Sequence, residues 1–154
     1  MQKPDSPQNP FNDLIPELRD WNGGKGVDAE AWISMVGRYD LAIGYSLIFW
    51  PRFVAFDGYV LRDGFSEESV RGFEKATQGN RAAVEAVVNH LHVVDIHGNE
   101  PLPAEAQIRF LGRVLKSIYE VKLKADFPDR SFVVEFNDQP DLDPIEYEVT
   151  FYQA

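Results

Sequence analysis

Apolar residues recur at spacings of three and four through the first half of the chain: Trp32, Val36, Tyr39, Ile43 and Leu47. That spacing predicts one amphipathic helix whose stripe faces a core. Val27 and Trp32 bracket Asp28 as a hydrophobic staple around an N-cap, so the helix is expected to begin at about residue 29 and to stop before Pro51. Gly37 and Gly44 share one face of it, which predicts close approach of another backbone, with a kink as the other reading. Residues 51–61, PRFVAFDGYVL, allow two structures: a short helix opened by Pro51, which is the preferred reading, or a hairpin turning at Asp57-Gly58.

The next helix carries Ser66 as N-cap, Glu67 and Glu68 in its first turn, and Phe65 stapled to Val70; Gly79 ends it and Asn80 caps another. The stripe of that third helix is Val84, Val87, Val88 and Leu91, and it is expected to run to about His97-Gly98. After Pro101 and Pro103 a long helix is predicted over about 104–125. Its apolar arc is Ile108, Leu111, Val114, Leu115, Ile118 and Val121; Lys122 falls inside the arc, where it is expected to snorkel outward. The period then switches to two. Phe132, Val134 and Phe136 alternate in SFVVEF, as do Ile145, Tyr147, Val149 and Phe151 in IEYEVTFY, which predicts two antiparallel strands resting on a helix. The pattern therefore predicts an α+β chain, mainly α. About four main helices carry a C-terminal β-hairpin in one globular domain over 11–154, preceded by a proline-rich arm over 1–10.

Composition narrows the function. A chain of 154 residues with 44% hydrophobic and 13% aromatic residues can build a core, which excludes wholesale disorder. A formal charge of −10 argues against nucleic acid, whose phosphates call for clustered Lys and Arg, and favours a basic protein partner. There is no cysteine, so thiolate chemistry and disulfides are out. With no apolar leader after Met1 and no run of eighteen uncharged apolar residues, the expectation is a cytoplasmic protein without a membrane role.

Five stretches carry candidate chemistry. WNGGKGVD, residues 21–28, resembles a phosphate loop, yet Lys25 is followed by Gly26 rather than Ser or Thr. Asp28 and Glu30 already occupy the helix start, so a tight turn is the preferred reading and an anion role for Lys25 the other. NHLHVVDIH gathers His90, His92 and His97 around Asp95, candidates for acid–base catalysis or, with a further carboxylate such as Asp40, Asp57 or Glu85, for a divalent metal. Seven aromatics between Tyr39 and Tyr59, Tyr45 and Trp50 among them, read as core or as a binding patch. Arg109, Arg113, Lys116 and Lys124 form the one basic stripe, suited to an acidic surface or to self-association. Asp138, Asp141 and Asp143 lack the glycine and glutamate of a calcium loop and read as a solvated turn. No GxSxG nucleophile motif is present.

WNGGKG through IGYSLIFWP, together with NHLHVVDIH, resembles small bacterial proteins of unassigned function, a likeness that implies no activity, cofactor or site. The leading expectation is a small acidic protein–protein interaction or accessory protein, immunity-like in masking a basic partner. The alternative is a metal-dependent or acid–base hydrolase built on the histidines.

Overall fold

The computed structural model describes residues 9–98 and 101–154. The proline-rich arm expected over 1–10 lies, through residue 8, outside them. Among the described residues are six helices and two small antiparallel sheets, an α+β architecture with its C-terminal strands paired as the period-two pattern predicts. The chain divides into two compact units, Met1–Gly44 and Tyr45–Ala154.

In the first unit a 3-10 turn, Pro16–Arg19, buries Leu18 completely. The short α1, Trp21–Gly24, is bent by left-handed backbone at Asn22 (φ 57°) and Gly23 (φ 64°). Gly24 and Gly26 are left-handed too, both at φ 82°, a conformation that glycine adopts without a Cβ penalty. α2, Ala29–Val36, starts as expected: the Asp28 carboxylate accepts from the Ala31 amide at 2.8 Å. The single helix expected over 29–50 is two, because Gly37 is extended (φ −74°, ψ 164°) and ends α2. A Cβ there would stand 2.5 Å from the Ile33 carbonyl oxygen, so this chain path admits only glycine. The chain resumes as α3, Tyr39–Phe49, whose last five residues, from Tyr45 on, belong to the second unit. Of the stripe predicted to be core, Trp32 is half-buried, whereas Val36 is 41% exposed, Tyr39 93%, Ile43 65% and Leu47 68%.

In the second unit residues 51–61 form the hairpin rather than the preferred helix. β1, Phe53–Phe56, pairs with β2, Tyr59–Arg62, across Asp57-Gly58, where both residues have positive φ. Alternating burial and the Asp-Gly turn outweigh the helix-opening proline. α4, Glu67–Ala76, is capped by Ser66, and α5, Arg81–Val88, by Asn80, whose side chain accepts from the Ala83 amide at 3.1 Å. α5 stops well short of His97. Asn89 closes it, and the chain turns extended into β3, Leu91–His92, then into a 3-10 turn, Val93–Ile96. α6, Glu105–Asp126, matches its predicted bounds to within one residue. β4, Phe132–Phe136, pairs with β5, Glu148–Gln153, which also pairs with β3 in the order β3-β5-β4. Ile145 stands in a 3-10 turn ahead of β5 instead of extending the strand.

The main core lies between α6 and the sheet: Ile108, Leu115, Tyr119 and Leu123 meet Val134, Tyr147, Val149 and Phe151. A second cluster joins Tyr59 and Leu61 of β2 to Val70 and Val84. The buried line of α6 is rotated from the predicted arc. It passes through Gly112, Tyr119 and Lys122, while Val121 is 64% exposed. Gly112 leaves room for the Phe136 ring: an added Cβ would come within 2.1 Å of it, so the ring would have to move.

The buried face of α5 is likewise polar at two positions. Glu85 and Asn89, one turn apart, are fully buried. Glu85 accepts from the amides of Val60 (2.7 Å) and Gln153 (2.6 Å) and from the Gln153 side-chain amide (2.5 Å). Asn89 accepts from the Arg62 amide at 3.0 Å and donates to the Val60 and Phe151 carbonyls at 3.0 and 3.2 Å. These two side chains take the place of a strand ladder between β2 and β5. Each satisfies edge groups that would otherwise be buried without partners.

Candidate functional site

The turn between α5 and the sheet keeps His90 and His92 in contact and gives His97 different neighbours. β3 pairing places His92 opposite Glu148, with its Nδ1 2.7 Å from the Ile145 carbonyl and 3.6 Å from the Glu148 carboxylate. His90 precedes the strand, its Nδ1 against the Val87 carbonyl and its ring edge-on to His92 at 4.9 Å between centroids. His97, after the 3-10 turn, has a different neighbour: its Nε2 shares a hydrogen bond with the Tyr45 hydroxyl, and the two rings meet edge to face at 5.5 Å. Asp95 is exposed on the 3-10 turn. Among the described residues no three His, Cys, Asp or Glu side chains are grouped to hold a metal ion. Glu85, a candidate further ligand, spends its carboxylate on backbone and amide donors. Asp57 accepts from Arg71, and Asp40 is paired with Arg38 at 2.7 Å.

Three residues of the basic stripe of α6, Arg109, Arg113 and Lys116, have partners within the chain. Arg109 and Arg113 both grip Asp138, at 2.8 and 2.6 Å, and Arg109 also reaches Glu105 at 3.2 Å. Lys116 lies 3.6 Å from Glu120. Asp138 belongs to the loop after β4, so the two arginines fasten that loop to the helix. The Arg113 guanidinium, and then that of Arg109, holds the Asp138 carboxyl below the usual range; the Arg109 guanidinium is raised in turn by its bond to Asp138. Lys122 is buried rather than snorkelling. It pairs with Asp126, and its ammonium sits 5.3 Å from the Trp50 ring centre and 5.2 Å from that of Phe53. Trp50 itself remains 57% exposed.

Around the glycine turn the amides that would cradle a phosphate have internal acceptors. Lys25 N donates to Asn22 O (3.3 Å), Gly26 N to Trp21 O (3.0 Å), Val27 N to Leu18 O (3.0 Å), and the Ala31 amide to Asp28. An open cleft of about 980 Å³ in the first unit is lined there by Phe11, Arg19, Lys25, Gly26, Asp28 and Glu30, in which both charge signs are balanced.

Sequence reasoning read Asp138, Asp141 and Asp143 as a solvated turn and passed over how they continue into Glu146 and Glu148. Beyond Arg130 the chain holds Glu135, Asp138, Asp141, Asp143, Glu146 and Glu148 and no Lys, Arg or His. Asp138 is held by the two arginines, whereas Asp141, Asp143 and Glu146 stand exposed around the 3-10 turn Pro144–Glu146. The missing cations after Arg130 were the available signal. No family model, no curated protein and no solved structure matches the chain. No helix among the described residues is long and apolar enough to cross a membrane.

Proposed function

We propose that the chain is an acidic accessory protein that acts by binding a basic protein partner, immunity-like in covering that partner's positive surface. The observation that supports this reading is the cation-free stretch after Arg130, with Asp141, Asp143 and Glu146 displayed on one rigid turn within a chain of net charge −10. The turn is fixed from within. Asp143 accepts from the Ile145 amide at 3.1 Å while Glu146 accepts from the Asp143 amide at 2.9 Å, so its carboxylates are presented without much ordering cost. Like charges displayed this way steer a cationic surface and set the on-rate, with strong dependence on salt.

The test uses partners captured by the full chain from native extract and then purified. Binding is measured against salt for the wild type and for the combined variant Asp141→Asn, Asp143→Asn, Glu146→Gln, whose amides keep the cap acceptors. The expected result is a basic partner whose affinity falls with salt and falls again, with a shallower salt slope, in the variant. Binding that ignores both salt and the three amides would refute the reading.

One contact favours the hydrolase reading, the Tyr45–His97 hydrogen bond, which would orient an exposed imidazole for proton transfer. It predicts that hydrolysis of an ester or phosphoester panel is measurable and is lost in His97→Gln; an inactive wild type removes it.

A further inference from the structure

His90 and His92 stand two residues apart where the chain leaves α5 for β3, and their rings meet on one side of it while Leu91 between them packs on the main core. Each ring is fixed through its Nδ1. A backbone carbonyl only accepts, so the Val87 carbonyl beside His90 and the Ile145 carbonyl 2.7 Å from His92 each require a proton on Nδ1. In the neutral imidazole that leaves the lone pair of both rings on Nε2. Neither Nε2 has a hydrogen-bond partner among the described residues. The buried side-chain nitrogens without a partner there are Trp32 Nε1 and Arg62 Nε, so the His92 Nε2 is open to solvent, and His90 as a whole is exposed.

The spacing of the rings fits a shared ion. Their centroids are 4.9 Å apart. Two imidazoles bound through Nε2 to one zinc ion at about 2.0–2.1 Å, with an angle between a right angle and the tetrahedral value, hold their centroids roughly 4.5–5.3 Å apart. The outer contacts are those that metal-bound histidines use: a carbonyl on each Nδ1 and, for His92, the Glu148 carboxylate at 3.6 Å, set opposite it by the pairing of β3 with β5. These contacts orient the ring and make its free nitrogen a better donor. Imidazole nitrogens select zinc, nickel or copper over magnesium and calcium, which take oxygen ligands. His97 takes no part, because its Nε2 is engaged by the Tyr45 hydroxyl.

We infer that His90 and His92 form a two-histidine site for one divalent transition-metal ion, with Nε2 of each as ligand and water in the remaining positions. The site depends neither on a basic partner nor on the Tyr45–His97 contact, so it stands or falls apart from both readings above. The full chain, without a histidine tag and stripped of metal by a chelator, is titrated with zinc chloride in a calorimeter. A second sample takes up copper(II) for electron paramagnetic resonance, which reads bound nitrogens through their hyperfine coupling. The expected result is one zinc per chain in the micromolar range and a copper spectrum with two imidazole nitrogens. His90→Ala and His92→Ala should each weaken zinc binding by about tenfold or more with unchanged circular dichroism, and Glu148→Gln should weaken it by up to about tenfold, as loss of an outer contact does. His97→Ala should bind as the wild type does. No zinc uptake, uptake that persists in the double variant His90→Ala, His92→Ala as it would on surface carboxylates alone, a copper spectrum without two nitrogens, or an equal loss in His97→Ala would each overturn the inference. If His92→Ala fails to fold, His90→Ala at its exposed position and the wild-type copper spectrum decide.

Discussion

Glu85 offers the sharpest test of how the second unit holds together. Its carboxylate is completely buried and accepts three hydrogen bonds: from the Val60 amide and the Gln153 side chain on Oε1, and from the Gln153 amide on Oε2. Glu85→Gln preserves volume and replaces one acceptor with an NH2 group. In its better orientation the amide oxygen keeps the two Oε1 bonds and the NH2 faces the Gln153 N–H, leaving two buried donors opposed. Losing one bond to a charged acceptor costs about 1.5–3 kcal/mol, and an unsatisfied buried group adds about 1–3 kcal/mol. The expected net loss is thus about 3 kcal/mol, or a fall in Tm of roughly 6–12 °C for a chain of this size. Urea unfolding followed by circular dichroism measures it, with Val87→Ala as the control from the same helix: Val87 is 38% exposed, and its truncation should cost under about 1 kcal/mol. A Glu85→Gln protein as stable as wild type would show that the stitch between β2 and β5 contributes nothing.

Gly112→Ala should destabilise by about 1–2 kcal/mol although alanine is the better helix former by about 1 kcal/mol, because the new methyl would meet the Phe136 ring at 2.1 Å; pairing it with Phe136→Leu should recover most of the loss in thermal melts. Asp138, depressed by Arg113 and Arg109, contributes stability that is present above the unfolded carboxyl value of about 3.9 and is lost as pH falls through its lower folded value; Asp138→Asn should flatten that acid limb of Tm against pH, and an unchanged limb would contradict the pairing. Asn80→Ala removes the α5 cap and should cost about 1 kcal/mol in urea titrations, where no change would mean the cap bond to Ala83 is idle.

Local rules reached the elements whose ends are set by local chemistry. The Asp28, Ser66 and Asn80 caps, the span of α6 and the antiparallel C-terminal strands all follow from side chains acting on their own neighbours. What failed depended on contacts distant in sequence. α5 stops at Asn89 because that side chain is taken by Val60 and Phe151, and no periodicity from Val84 to Leu91 shows those partners. Lys122 reads as an intruder in an apolar arc until Trp50, Phe53 and Asp126 surround its ammonium. The candidate site was legible as residue types only: the histidines are adjacent in sequence, and the switch from helix to β3 places His92 beside Glu148 and His97 beside Tyr45.

The stripe on α3 shows why the same signal supports two structures. A repeat of three and four says that one side of a helix is apolar; it does not say whether the covering atoms belong to the same chain. Within the second unit Ile48 and Phe49 pack on the core, while Leu47 beside them is 68% exposed. Had the stripe been core, Leu47→Glu would bury a charge and unfold the chain. At an exposed position it should leave the fold intact, so thermal melts of Leu47→Glu separate the two readings of the pattern.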